Sequence, residues 1–127
     1  MSTIIATTLS NGSVSVPTAT VVNGSAKAWA SVNGTGTIAV RDSLNVSSLT
    51  DVGTGDFATN FSNAYSAGDY AIGGSTVGNT SIYSHITTSV VIPSAGSFRT
   101  TTGRFDLSGG NITDQNYVSV LTFGDLA

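Results

Sequence analysis

One histidine, His85, sits in a chain with 19 Ser and 19 Thr, so the ingredients of hydroxyl nucleophilic catalysis are all present. That chemistry needs the imidazole within hydrogen-bond reach of the hydroxyl and a third group to orient it. The stretch Tyr83-Ser84-His85-Ile86 reads as mid-strand, and no Gly-x-Ser-x-Gly elbow occurs. His85 is therefore read as a structural or interface residue. Paired carboxylates for glycoside hydrolysis would have to be aspartates, because the chain has no Glu. Asp42, Asp51, Asp56, Asp69, Asp106, Asp114 and Asp125 nearly all stand beside Gly, Ser or Thr, where Asp caps backbone amides in turns. Asp51 and Asp56 bracket Val52-Gly53-Thr54-Gly55 and could lend oxygens to Ca²⁺, but the spaced acidic loop that supplies six or more oxygens is missing. Gly34-Thr35-Gly36 and Gly53-Thr54-Gly55 look like phosphate loops without the following Lys or helix, and read as hairpin turns. The sequence assigns no catalytic residue, no cofactor and no metal.

What remains is the surface. Trp29, Tyr65, Tyr70 and Tyr83 stand among Asn, Asp, Ser and Thr. They are candidates for stacking on a sugar ring or for contact with another subunit; the competing reading has them filling the core with their polar tips hydrogen-bonded. Arg41 beside Asp42 suits a local ion pair or a subunit contact. The Asn-x-Ser/Thr triplets at Asn11, Asn23, Asn33, Asn45, Asn60, Asn79 and Asn111 follow from the abundance of Ser and Thr and are not read as glycosylated.

Composition sets the frame for these residues. The 127 residues carry seven Asp, one Lys and three Arg, for a net charge of −3. Four cations are too few for a nucleic-acid surface or for docking on an anionic membrane. With no Cys there is neither a disulfide nor a thiolate site. No apolar run is long enough to cross a bilayer as a helix, and no basic segment precedes Ile4-Ile5, so folding in a cytosol is expected. Length fits one domain. Hydrophobic residues make up 39% of the chain, enough for a core.

Good helix formers are scarce, while Val, Ile, Thr and aromatic residues recur, which points to strands. Turn signals every ten to twelve residues suit a β-sandwich or barrel. Asn11-Gly12, Asn23-Gly24 and Asn33-Gly34 suit two-residue hairpins. Alternation predicts strands over 13–22, 26–32 and 37–41, and further runs read as strands over 44–49, 57–61, 69–72 (closed by Gly73-Gly74), 80–92, 97–107 and 117–123. The last is apolar on both sides and is expected to be central or covered on both faces. Residues 1–12 are read either as a first strand or as an arm that adds to a neighbouring copy; residues 13–127 form a single β-sandwich domain. The expected fold is an all-β antiparallel sandwich, jelly-roll-like, of nine or ten strands.

The strings Lys27-Ala28-Trp29, Asn33-Gly34-Thr35-Gly36-Thr37, Arg41-Asp42-Ser43, Asn45-Val46-Ser47-Ser48 and Gly53-Thr54-Gly55-Asp56 resemble a domain of bacteriophage tail-fibre-like proteins frequent in phages of marine bacteria. The likeness is dense from Ala26 to Phe61 and resumes from Gln115 to Gly124; the centre matches in rhythm only. The resemblance implies a β-rich, trimeric virion part and supplies no catalytic residue. A disulfide-free β protein outside a cell gains stability from closed association, and edge strands without lysines call for covering by sister copies. The expected function is a non-enzymatic tail-fibre or receptor-binding knob, a homotrimer, with other virion proteins and host glycan as partners. The alternatives are a capsid decoration protein or head fibre, a carbohydrate-binding module and, more distantly, a glycan-degrading enzyme.

Overall fold

The computed structural model describes residues 2–77, 84–88, 93–106 and 109–127. Two short strands, β1 (Thr8–Ser10) and β2 (Ser15–Pro17), pair with each other only, and one short helix, α1 (Thr18–Gly24), follows. The remaining strands are β3 (Ala28–Asn33), β4 (Ala39–Leu44), β5 (Val46–Gly53), β6 (Asp56–Phe61), β7 (Ala71–Val77), β8 (Ser84–Thr88), β9 (Ser97–Asp106), β10 (Gly109–Ile112) and β11 (Tyr117–Phe123). They build a four-stranded sheet, β4-β3-β11-β7, and a five-stranded sheet of β5, β6, β8, β9 and β10, antiparallel throughout. The protein is an all-β sandwich. β9 is long enough to serve several partners: β6 and β10 take successive halves of one edge, and β8 lies along the other.

The core is unequal in its two halves. The four-stranded sheet turns Ala28, Ala30, Val32, Val118 and Val120 inward, while the other sheet contributes Phe57, Phe61 and Phe98. Small residues on one wall leave room for rings on the other, which is how two sheets about 10 Å apart fill the gap without voids. Tyr65 and Tyr70, from the β6–β7 connection, close one end. Their rings stack at 4.3 Å between centroids, and Phe61 meets both edge-on.

Local chemistry explains several departures from the sequence reading. The strand expected over 13–22 is β2 followed by α1: Pro17 cannot extend a central ladder but suits the position just before a helix. The strand expected over 44–49 is a corner. Asn45 takes a left-handed φ of 56° between β4 and β5, its amide donates to the Asn63 carbonyl, and its Oδ1 accepts from the Asn63 amide. None of the three Asn-Gly pairs makes the expected two-residue hairpin: Asn11-Gly12 lies in the four-residue connection of the β1–β2 hairpin. Asn23-Gly24 ends α1, and Asn33-Gly34 opens a longer loop in which Gly36 has the positive φ. Gly73-Gly74 does not end a strand; it lies inside β7, opposite Leu121 and Val120. β11 is central as expected, yet covered on one face only: Val118, Val120 and Thr122 are buried, while Tyr117 and Ser119 are exposed. The polar centre of β9 is buried, with Thr100 and Thr102 at 0% and 2% exposure.

Candidate interaction face

Alternation along each strand of the four-stranded sheet fixes its outer face. Because Ala28, Ala30 and Val32 point inward, Trp29, Ser31 and Asn33 point out; because Val118 and Val120 point inward, Tyr117, Ser119 and Leu121 point out. Pairing then aligns them in rows across the strands. One row runs Leu44–Trp29–Leu121–Gly73, and the next runs Asp42–Ser31–Ser119–Ser75. Beyond the serines, Tyr117 stands opposite Val77. The outer face is thus an apolar row and an aromatic-aliphatic pair separated by a floor of hydroxyls. Leu44 and Tyr117 are each 49% exposed and Trp29 36%.

Its charged groups are occupied. The Arg41 guanidinium lies over the Tyr117 ring, 4.2 Å from the centroid, and donates to the Asn116 carbonyl (2.9 Å) and Oδ1 (2.7 Å). Asp42 Oδ1 accepts from the Ser43 amide at 2.9 Å. The expected local pairing of Arg41 with Asp42 is absent: Arg41 lies at a bulge of β4 and is held by Asn116 and the Tyr117 ring, while Asp42 is held by the Ser43 amide. An ion pair forms between Arg99 and Asp56 on the other sheet, where hydrogen bonding to Asp56 raises the Arg99 pKa. That outer face is polar: Asn60 donates to Ser48 Oγ and Thr50 Oγ1.

Of the four aromatic candidates, Trp29 is on the surface. Tyr65 and Tyr70 are corrected to core residues, 2% and 7% exposed. The Tyr65 hydroxyl is 2.5 Å from Thr122 Oγ1, and the Tyr70 hydroxyl is aimed at the carbonyls of Ser94 and Ser97. Burial raises both phenol pKa values, that of Tyr70 to about 12 with the neighbouring Tyr65 adding to the effect. Tyr83 lies outside the described residues; of His85 the backbone alone is described, in β8 paired with Gly103. Tyr117, Leu44 and Leu121 were missed as surface partners of Trp29. The strand alternation around each carried that signal, but only the register between strands brings them into rows.

The two Gly-Thr-Gly turns converge, together with Asp51, Asp56 and Asp114, on a cleft of about 160 Å³. Asp114 Oδ1 accepts from the Gly55 amide at 2.6 Å and Asp56 holds Arg99. Among the described residues no group of three His, Cys, Asp or Glu side chains is placed to hold a metal ion. The cleft is the joint between hairpins. No family model, curated protein or solved structure matches this chain.

Proposed function

We propose that this chain is a non-enzymatic structural module of a bacteriophage particle, a tail-fibre-like knob that works as a closed assembly of copies, three in number. The observation that carries the reading is the outer face of the four-stranded sheet, where Trp29, Leu44 and Leu121 form an apolar row without a cover among the described residues. Exposed apolar patches of this kind mark protein contact surfaces. Asp42, Asp56 and Asp114 are tied to backbone amides or to Arg99, which suits a building part. The motif run from Ala26 to Phe61 supports a phage setting for such a part.

Light scattering on the purified chain tests the assembly: a trimer is expected, and a monomer at micromolar concentration defeats this part of the reading. Gold labelling of phage particles tests the setting. Label at the tail tip is expected; label over the capsid faces would assign the chain to capsid decoration, and unlabelled particles would remove the virion role. A second reading, glycan contact, is favoured by the serine floor between Trp29 and Tyr117, because sugars combine apolar ring faces with hydroxyls. A glycan array probes it; binding that is lost in Trp29→Ala would establish it.

A further inference from the structure

Two apolar surfaces of this chain lack a cover among the described residues. The first is the segment 2–24. From Ser2 to Ala26 the sequence has no charged side chain. Ile4 and Ile5 are 92% and 94% exposed, Val14 is 68% exposed, and α1 buries none of its residues. The segment nevertheless holds a shape. β1 pairs with β2, the Thr18 amide donates to the Thr7 carbonyl at 2.9 Å, and its hydroxyl donates to the Ala6 carbonyl at 2.7 Å. The second surface is the Trp29 face.

Size decides how they can be covered. Four strands about 4.8 Å apart and about seven residues long present roughly 400 Å². A stable protein contact takes about 800 Å² from each partner. Two copies placed face to face would bury only this patch on each, about half of that. If each copy instead lays its arm on a neighbour's face and receives an arm on its own, every copy buries both surfaces, about 400 Å² at each of two contacts, so that area is reached by the closed set of contacts and not by one alone. The arm carries no charge, and on the face Arg41 and Asp42 are already engaged with Asn116, Tyr117 and the Ser43 amide.

We infer that residues 2–24 of one copy seat Ile4, Ile5 and Val14 against Trp29, Leu44 and Leu121 of a second copy of this chain. The contact joins unlike surfaces, and a rotation that closes after three copies makes it the ring of the proposed trimer. The inference rests on the self-associating reading above and names the surfaces that carry it.

The test uses the full chain. Ile5→Asp with Val14→Asp alters two side chains that a single copy leaves in water, so the circular dichroism spectrum should stay unchanged while the scattering mass falls to that of one chain. Leu44→Asp, on the receiving face, should do the same. The absence of cysteine makes introduced thiols clean reporters. Mixed copies of Val14→Cys and Ser31→Cys should form a covalent hetero-pair on oxidation. An assembly whose mass is unchanged in the arm variant overturns the inference while leaving self-association intact. So does a Val14→Cys/Ser31→Cys double variant that closes within one chain. A monomeric unmodified chain overturns both.

Discussion

Four threonines mark where residue type and burial part company. Thr59, Thr100, Thr102 and Thr122 fill inward positions that a sequence reader assigns to Val. Thr102 donates to the Thr113 carbonyl at 2.9 Å, and Thr122 meets the Tyr65 hydroxyl. The hydroxyls of Thr59 and Thr100 have no partner among the described residues. A buried hydroxyl left unpaired costs about 1–3 kcal/mol. Thr59→Val and Thr100→Val are therefore expected to be neutral or to stabilise by up to about 1 kcal/mol, whereas Thr102→Val loses about 1 kcal/mol or more. Urea unfolding of the three variants checks the contrast. The tyrosines teach a related lesson. Tyr65 and Tyr70 look like surface aromatics because their sequence neighbours are polar, but a loop that plugs the end of a sandwich buries its rings and not its backbone. Their burial has a consequence at high pH. With the Tyr70 phenol raised from 10.0 to about 12, both states hold the proton below about pH 10, and stability there is level. Between these two values unfolding releases a proton, so stability falls as pH rises. Denaturation midpoints measured against pH should bend downward there, and Tyr70→Phe should flatten the bend while losing about 1 kcal/mol at neutral pH.

At the scale of elements, alternation of apolar and polar residues made β3 legible, whereas β11 stood out as a run apolar on both sides although it buries one side only. What alternation cannot supply is the partner of each strand. The Leu44–Trp29–Leu121 row exists only through register, and a strand displaced by one residue would turn it inward. Turn residues were legible in kind but not in use. Gly73-Gly74 lies within β7, and a Cβ at Gly73 would come to ordinary contact with Leu121 at 3.7 Å, so that glycine is not demanded by its surroundings. Gly55 is where a glycine is required. Its φ is +63°, and an added Cβ would lie 2.7 Å from the carbonyl oxygens of both Thr102 and Thr113. Gly36 has a similar φ of +65° with open space around it. Gly55→Ala is expected to cost about 3 kcal/mol or more and Gly36→Ala about 1 kcal/mol, measured by thermal unfolding. The difference between them reports the packing of the β5–β6 turn against β9 and the residues after β10.

For the whole molecule, the arithmetic of charge was the most informative part of the sequence: with 11 charged side chains in 127 residues, association has to rest on apolar contact and hydrogen bonds. Surface ion pairs weaken as salt screens them; apolar contacts do not. Raising salt from about 0.1 M to about 1 M should therefore leave the scattering mass of the assembly unchanged or shift it upward. Dissociation by salt would place the contact on Arg41, Asp42 or Lys27 instead. The inward sides of β3 and β11 are made of Ala, Val and Thr122, residues with little volume left to lose, and their outward sides alternate with them one for one. Positions 29, 31, 119 and 121 can thus drift through many side-chain identities while the interior keeps its fit. A lineage can rewrite whom this protein touches without having to reinvent how it folds.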